Sequence, residues 1–291
     1  MKYLKLLCLA SCLPFAACDN TNDVEDVQEN ANLIRLEVYH PHQSRVTATN
    51  FEKLDEIGLF MTSANTKLQL GGNELNNEKF TFDGKNWNSR KVYWNQGQHD
   101  VYAYYPFEKN INGIEDYTFQ VALDQNTPKT ATEMGGYEAS DFLWASSKGL
   151  TASDGAIQLK FTHCMSKLNI QLVKGDTFEG EIPSDAEVYV HNTVPVASID
   201  LSTGGVSKNI YAGSQSVKAK KIDDAHFTAC LVPQNIRVMT PLVEVITQGV
   251  SYLMEGKISL RQGTQHTVVI TLTKNPDQTK IEIGGEIVDW K

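Results

Sequence analysis

Ile157–Val173, IQLKFTHCMSKLNIQLV, carries two short sets of apolar residues with period two. Ile157, Leu159 and Phe161 form the first set; Leu168, Ile170 and Leu172 form the second. Such alternation marks half-buried β-strands, because successive side chains point to opposite faces of a sheet. The sets are out of phase, odd-numbered before Cys164 and even-numbered after Lys167. That slip predicts a bulge or a bend near Cys164–Lys167.

The same pattern extends in both directions. Upstream, Leu33–Tyr39 puts Ile34, Leu36 and Val38 on one face against Arg35, Glu37 and Tyr39. Ile57–Met61 is a short apolar run that suits a core strand. Phe80 and Phe82 before Asp83-Gly84, with Trp87 after it, predict a hairpin. Arg90–Trp94, Asp100–Tyr105, Tyr117–Leu123 and Asp141–Ala145 read as further strands, and Gln125–Gly136 as a long surface loop. Downstream, strands are expected at Glu187–Asn192, Ala197–Leu201, His226–Val232, Pro241–Thr247, Val250–Ser259, Gln265–Thr273 and within Lys280–Lys291. No long segment has helical period. Many short strands with turn residues between them predict an all-β chain of two sandwich domains. The expected domains span 33–150 and 151–291, with Lys148–Gly155 as the linker.

The first 32 residues read differently. Lys2 and Lys5 precede Leu6–Cys18, LLCLASCLPFAAC. This run is too short to cross a hydrocarbon core about 30 Å thick as a helix. It reads as an export signal over 1–17. Ala16-Ala17-Cys18 resembles the lipobox of bacterial lipoproteins, with Phe15 where a leucine is usual. The resemblance makes Cys18 the lipid-attachment residue, and the acyl chains would then hold the protein on the outer membrane. Residues 18–32 are acidic and Asn-rich, too poor in apolar residues to build a core, and read as a tether.

The chain has 291 residues and a formal net charge of −9, which argues against nucleic acid as a partner. Cys8 and Cys12 lie in the signal, so Cys164 and Cys230 remain for the folded part. Both sit in strand-like runs and are expected as buried free thiols, although export leaves a disulfide open.

Several stretches, taken in order, resemble a fimbrillin, the type V pilin of the Bacteroidetes. They are the lipobox and tether, Arg45–Phe51 followed by Asp55–Phe60, Tyr93-Trp94 followed by Val101–Pro106, Leu159–His163 running into Lys167–Ile170, and Val268–Lys274 followed by a strand ending in Asp289-Trp290. The resemblance implies two transthyretin-like sandwiches, export as a surface lipoprotein, and assembly with other fimbrial subunits. It also implies cleavage by an Arg-specific protease, with Arg45 matching the cut position, so that the Arg45–Val46 bond is the expected site. Cleavage would free the first strand, with Ile34, Leu36 and Val38, and a neighbour's strand would take its place. Within this chain the expected donor is Lys280–Lys291, with Ile281, Ile283 and Ile287, unless that segment is the last strand of its own domain.

No catalytic residues, metal site or cofactor are expected. No Gly-x-Ser-x-Gly elbow, His-Glu-x-x-His, phosphate loop or dinucleotide fingerprint occurs. Pro41 between His40 and His42 breaks the regular spacing that would preset a metal pair. Trp87, Tyr93, Trp94, Tyr102, Tyr104 and Tyr105 could line a sugar platform, the alternative being a monomeric lipid-anchored glycan binder. Aromatics favour strands, so packing within a sandwich is the preferred reading of these six.

Overall fold

A computed structural model describes residues 32–41 and 51–290. The first nine strands are β1 (Leu36–Tyr39), β2 (Glu56–Ser63), β3 (Leu75–Phe82), β4 (Trp87–Asn88), β5 (His99–Tyr105), β6 (Tyr117–Gln120), β7 (Leu143–Leu150), β8 (Ile157–Lys160) and β9 (Thr162–His163). They are followed by β10 (Ser166–Lys174), β11 (Glu187–Thr193), β12 (Val196–Asp200), β13 (Gly205–Lys208), β14 (Gln215–Lys218) and β15 (Lys220–Lys221). The chain continues through β16 (His226–Leu231), β17 (Asn235–Thr247), β18 (Val250–Ser259), β19 (Thr264–Leu272) and β20 (Lys280–Asp289). Among the described residues one short α-helix, α1 (Gly136–Ala139), interrupts the series. The fold is all-β, as the alternation requires.

In the second half, a five-stranded sheet, β15-β16-β10-β19-β20, faces a four-stranded sheet, β14-β11-β17-β18. Leu168, Ile170 and Leu172 of β10 meet Val188 and Val190 of β11 and Val243 and Val245 of β17 in one aliphatic core. The first half is layered around a six-stranded sheet, β4-β3-β2-β5-β7-β9. One face carries Ile57, Leu59 and Met61 of β2 and packs against Ile157 and Leu159 of β8. The other carries Phe60 of β2 with Tyr102 and Tyr104 of β5, and packs against Tyr117, Phe119, Ala197 and Ile199. These last four belong to a three-stranded sheet, β13-β12-β6. A sheet covered on both faces cannot show polar alternation, which is why all seven residues of β5 are buried. Gly58 is required there: a Cβ would come within 2.2 Å of the Tyr104 ring.

Several local expectations change. Lys148–Gly155 is not a linker, because β7 runs through Leu150 and a capped turn at Ala152–Asp154 follows. Gln125–Gly136 is not wholly a surface loop. Gln125 is fully buried; its Nε2 donates to the Cys230 carbonyl at 2.6 Å, and the Cys230 N–H donates to its Oε1 at 2.7 Å. Arg90–Trp94 makes a single bridge, Leu33 to Tyr93, rather than a full strand. The phase slip at Cys164–Lys167 is the step from β9 in the six-stranded sheet to β10 in the five-stranded one. Ile157–His163, placed by sequence in the second unit, thus packs in the first half, and β12 pairs with β6 across the expected division at Thr151.

Candidate functional site: the first and last strands

The period-two face of Leu33–Tyr39 forms as expected. Ile34 is 4% exposed, and half-buried Leu36 and Val38 pack against the same core. The segment is held at two places. At its start, the Ile34 N–H donates to Val92 O and the Trp94 N–H to Asn32 O, both at 2.9 Å. From Leu36 onward it runs parallel to β8, Leu36 opposite Ile157 and Tyr39 opposite Lys160. The Ile157 N–H donates to Arg35 O at 2.8 Å and the Phe161 N–H to Tyr39 O at 3.0 Å. This is a separate two-stranded sheet, and β8 pairs with no other described strand. A cleft of about 670 Å³ runs beside β1, floored by Ile34, Leu36, Phe80 and Trp87 and rimmed by Arg35 and Asn88.

Beyond β1, the rings of His40 and Phe51 meet edge to face, 4.9 Å between centroids. Phe51 is seated among Trp87, Tyr105 and Phe161 at 5.0–5.6 Å. His40 also lies edge-on to His163 at 5.9 Å. His163 is 2% exposed, and its Nδ1–H donates to Asp141 Oδ1 at 2.8 Å. The ring of Trp290, immediately after β20, stacks on the His163 imidazole at 3.8 Å and an interplanar angle of 3°. The Trp290 N–H donates to Gly263 O at 2.8 Å. The sequence names His40, His163 and Trp290 separately but offers no sign that they converge: 123 and 127 residues separate them, and only the strand order brings them together.

The expected donor, Lys280–Lys291, is paired within its own sheet as far as Asp289, antiparallel to β19. Ile281 is half-buried against the second core, whereas Ile283 and Ile287 are 38% and 45% exposed. β20 is the sheet's edge strand. Cys18, Arg45 and Val46 lie outside the described residues.

The chemistry around these strands is quiet. Cys164 and Cys230 are buried and unbridged, and burial pushes both thiols up in pKa. Burial also lowers the pKa of Lys167, whose ammonium lies 5.9 Å from the Trp290 ring centroid. His191 bridges Ser216 Oγ at 2.6 Å and Glu244 Oε2 at 2.9 Å, a polar row across β14, β11 and β17. No group of His, Cys, Asp and Glu among the described residues could hold a metal ion. Trp94, Tyr102, Tyr104 and Tyr105 are packed in the cores; Tyr93 and half-buried Trp87 reach the surface. No helix among the described residues is long and apolar enough to cross a membrane.

Solved structures share this architecture. The "putative cell adhesion protein" of Bacteroides uniformis superposes with a TM-score of 0.67 at 17% identity, over 89% of this chain and 98% of that one. A fimbrial protein of Bacteroides vulgatus gives 0.50 at 16% identity, over 89% of this chain and all of its own. These likenesses establish the fold. In sequence, the Bacteroides ovatus protein named "Putative fimbrium tip subunit Fim1C" is 27% identical over 133 residues, 43% of this chain. The match spans only 24% of that relative's length. A family profile described as fimbrillin-like matches residues 44–290, most of the chain. The chain belongs to the fimbrillin-like family.

Proposed function

We propose that this chain is a structural or adhesive subunit of cell-surface fimbriae, exported as a lipoprotein through Cys18 and assembled by exchange of its first strand. An Arg-specific protease cuts Arg45–Val46, β1 departs, and an extended segment of a neighbouring subunit occupies the vacated site. The observation that carries this reading is that, among the described strands, β1 pairs with β8 alone, so its departure would dismantle no larger described sheet. Its departure still has a cost. Uncovering Ile34 loses roughly 1.5–3 kcal/mol, and half-buried Leu36 and Val38 each lose about half as much. That is a sizeable part of the ~5–15 kcal/mol that holds a domain together. An opened subunit therefore favours a replacement strand, with main-chain bonds supplying affinity and alternate side chains the register. Donation that runs head to tail does not close on itself and so builds a filament.

N-terminal sequencing of protein taken from the cell surface tests this. A start at Val46, with SDS-resistant ladders after trypsin treatment of the purified precursor, is the expected result. A trypsin-resistant monomer that retains Leu33–Tyr39 on the cell surface would overturn it.

A further inference from the structure

The two ends of the described chain meet at one side chain. β1 is the only described strand paired with β8. Two residues separate β8 from His163, which carries the stacked ring of Trp290 and closes the end of β20. His40, at the exit of β1, packs edge-on against the same imidazole. In this path β1 to β8 is strand pairing, β8 to His163 is a chain connection of two residues, and His163 to Trp290 is a ring stack. β20 itself is hydrogen-bonded to one neighbouring described strand along one edge, and its residues Ile283 and Ile287 are 38% and 45% exposed. The deeply buried part of this C-terminal segment is Trp290, 4% exposed.

We infer that the Trp290–His163 stack is an autoinhibitory pin: it keeps Lys280–Trp290 on its own sheet while β1 is in place, and loss of β1 loosens it. When β1 leaves, β8 loses its only described strand partner and His163 loses the His40 ring beside it. The imidazole is then less rigidly placed, and the stack that depends on its position weakens. Elements that share a neighbour open together rather than independently. The consequence is an order of events. The C-terminal strand becomes available only in a subunit whose first strand has gone, so an uncut precursor does not offer it. This inference rests on the proposed strand exchange for its biological meaning, but the coupling is a property of the fold and is testable without any cleavage.

Hydrogen exchange of the full chain, read by mass spectrometry on peptides covering 280–290, is the measurement. β1 is displaced without cutting by Leu36→Asp together with Val38→Asp. The pin is removed separately, with β1 intact, by His163→Ala. Exchange in β2 and β5 reports whether the first half stays folded. The expected result is at least tenfold faster exchange at 280–290 in both variants. Combining the two sets of changes should accelerate exchange by less than the product of their separate effects. Trp290→Ala provides a second route to the same readout if either variant loses protection in β2 and β5. Unchanged exchange at 280–290 in His163→Ala or Trp290→Ala, or effects that multiply independently, would overturn the coupling. A failure of trypsin to cut at Arg45 would count against the proposed maturation and leave this result standing.

Discussion

In the second half of the molecule, two sheets of five and four strands close on a core of Leu168, Ile170, Val188, Val243 and their neighbours. In the first half, the corresponding aliphatic core of Ile57, Leu59, Val101 and Leu159 is covered by a lid of two strands, β1 and β8. The second sandwich has several strands on each side to share any local loss. The first depends on a four-residue strand entered from one end of the chain. Both cores are built of side chains at most 9% exposed, and they differ mainly in how the closing layer is held. A removable lid is what strand exchange needs.

The sharpest way to break this comparison is to charge each end strand in turn. Ile34→Asp places a carboxylate in the first core with no partner. An uncompensated buried charge costs on the order of 3–5 kcal/mol. Urea unfolding should show that loss, with faster hydrogen exchange in β2 and β5 and unchanged exchange in β10 and β19. Val288→Asp, 37% exposed on edge strand β20 opposite Gln265, should change stability by about 0.5 kcal/mol or less, as exposed substitutions usually do. Equal losses from the two would mean that the first half has no special dependence on its entering strand.

A smaller effect should come from a contact between distant parts of the chain. Gln125 holds both the N–H and the carbonyl of Cys230 from 105 residues away. Gln125→Leu fits the space but leaves two buried backbone groups unsatisfied, at about 1–3 kcal/mol each before relaxation. We expect a net loss of roughly 2–4 kcal/mol in urea unfolding. A neutral outcome would show that the fold is stabilised independently of this link.

The sequence made the strands legible because period two survives wherever one face of a sheet is wet. It hid the layering, because a strand covered on both faces has no alternation to read. β5 is the example: HDVYAYY reads simply as a strand, and nothing in it says that two cores use it. The linker expectation at Lys148–Gly155 failed for a related reason. Gly149 sits at positive φ, as turn glycines do, yet the strand continues through it to Leu150. In the candidate site, the alternating face of Leu33–Tyr39 was readable, and so was the ambivalence of Lys280–Lys291. The meeting of His40, His163 and Trp290 was not, since ring packing between distant segments leaves no local trace.

The two cysteines sharpen the comparison without altering stability. Both lie in the aromatic core beside the six-stranded sheet, and burial raises both thiols in pKa. A reactive cysteine needs a thiolate and access, and these have neither. Peptides containing Cys164 and Cys230 should stay unlabelled by iodoacetamide at pH 8 in the folded chain and label fully in denaturant. Rapid labelling of one in native buffer would mean that this aromatic core opens more readily than the two aliphatic cores.

The smallest expected effect is a pH dependence beside β20. Burial, with Arg261 nearby, lowers the pKa of His266 below its usual 6.5. Its Nε2 lies 3.1 Å from Thr264 Oγ1, whose own proton goes to Arg261 O at 2.9 Å, so the ring nitrogen donates to the hydroxyl. The folded state thus binds its proton less readily than the unfolded chain. Between 6.5 and the lower folded value, the unfolded state carries more proton, so stability falls as pH drops through that window and then levels off. His266→Gln removes the titration while keeping a polar side chain. The variant should lose less stability than the parent between pH 7.5 and 5.5, measured as urea midpoints. Because Asp55, whose pKa burial raises, acts with the opposite sign, the difference between variant and parent is the quantity to read. An identical fall in both would show that the ring next to the edge strand is already wet, and that β20 is looser at rest than its pairing with β19 implies.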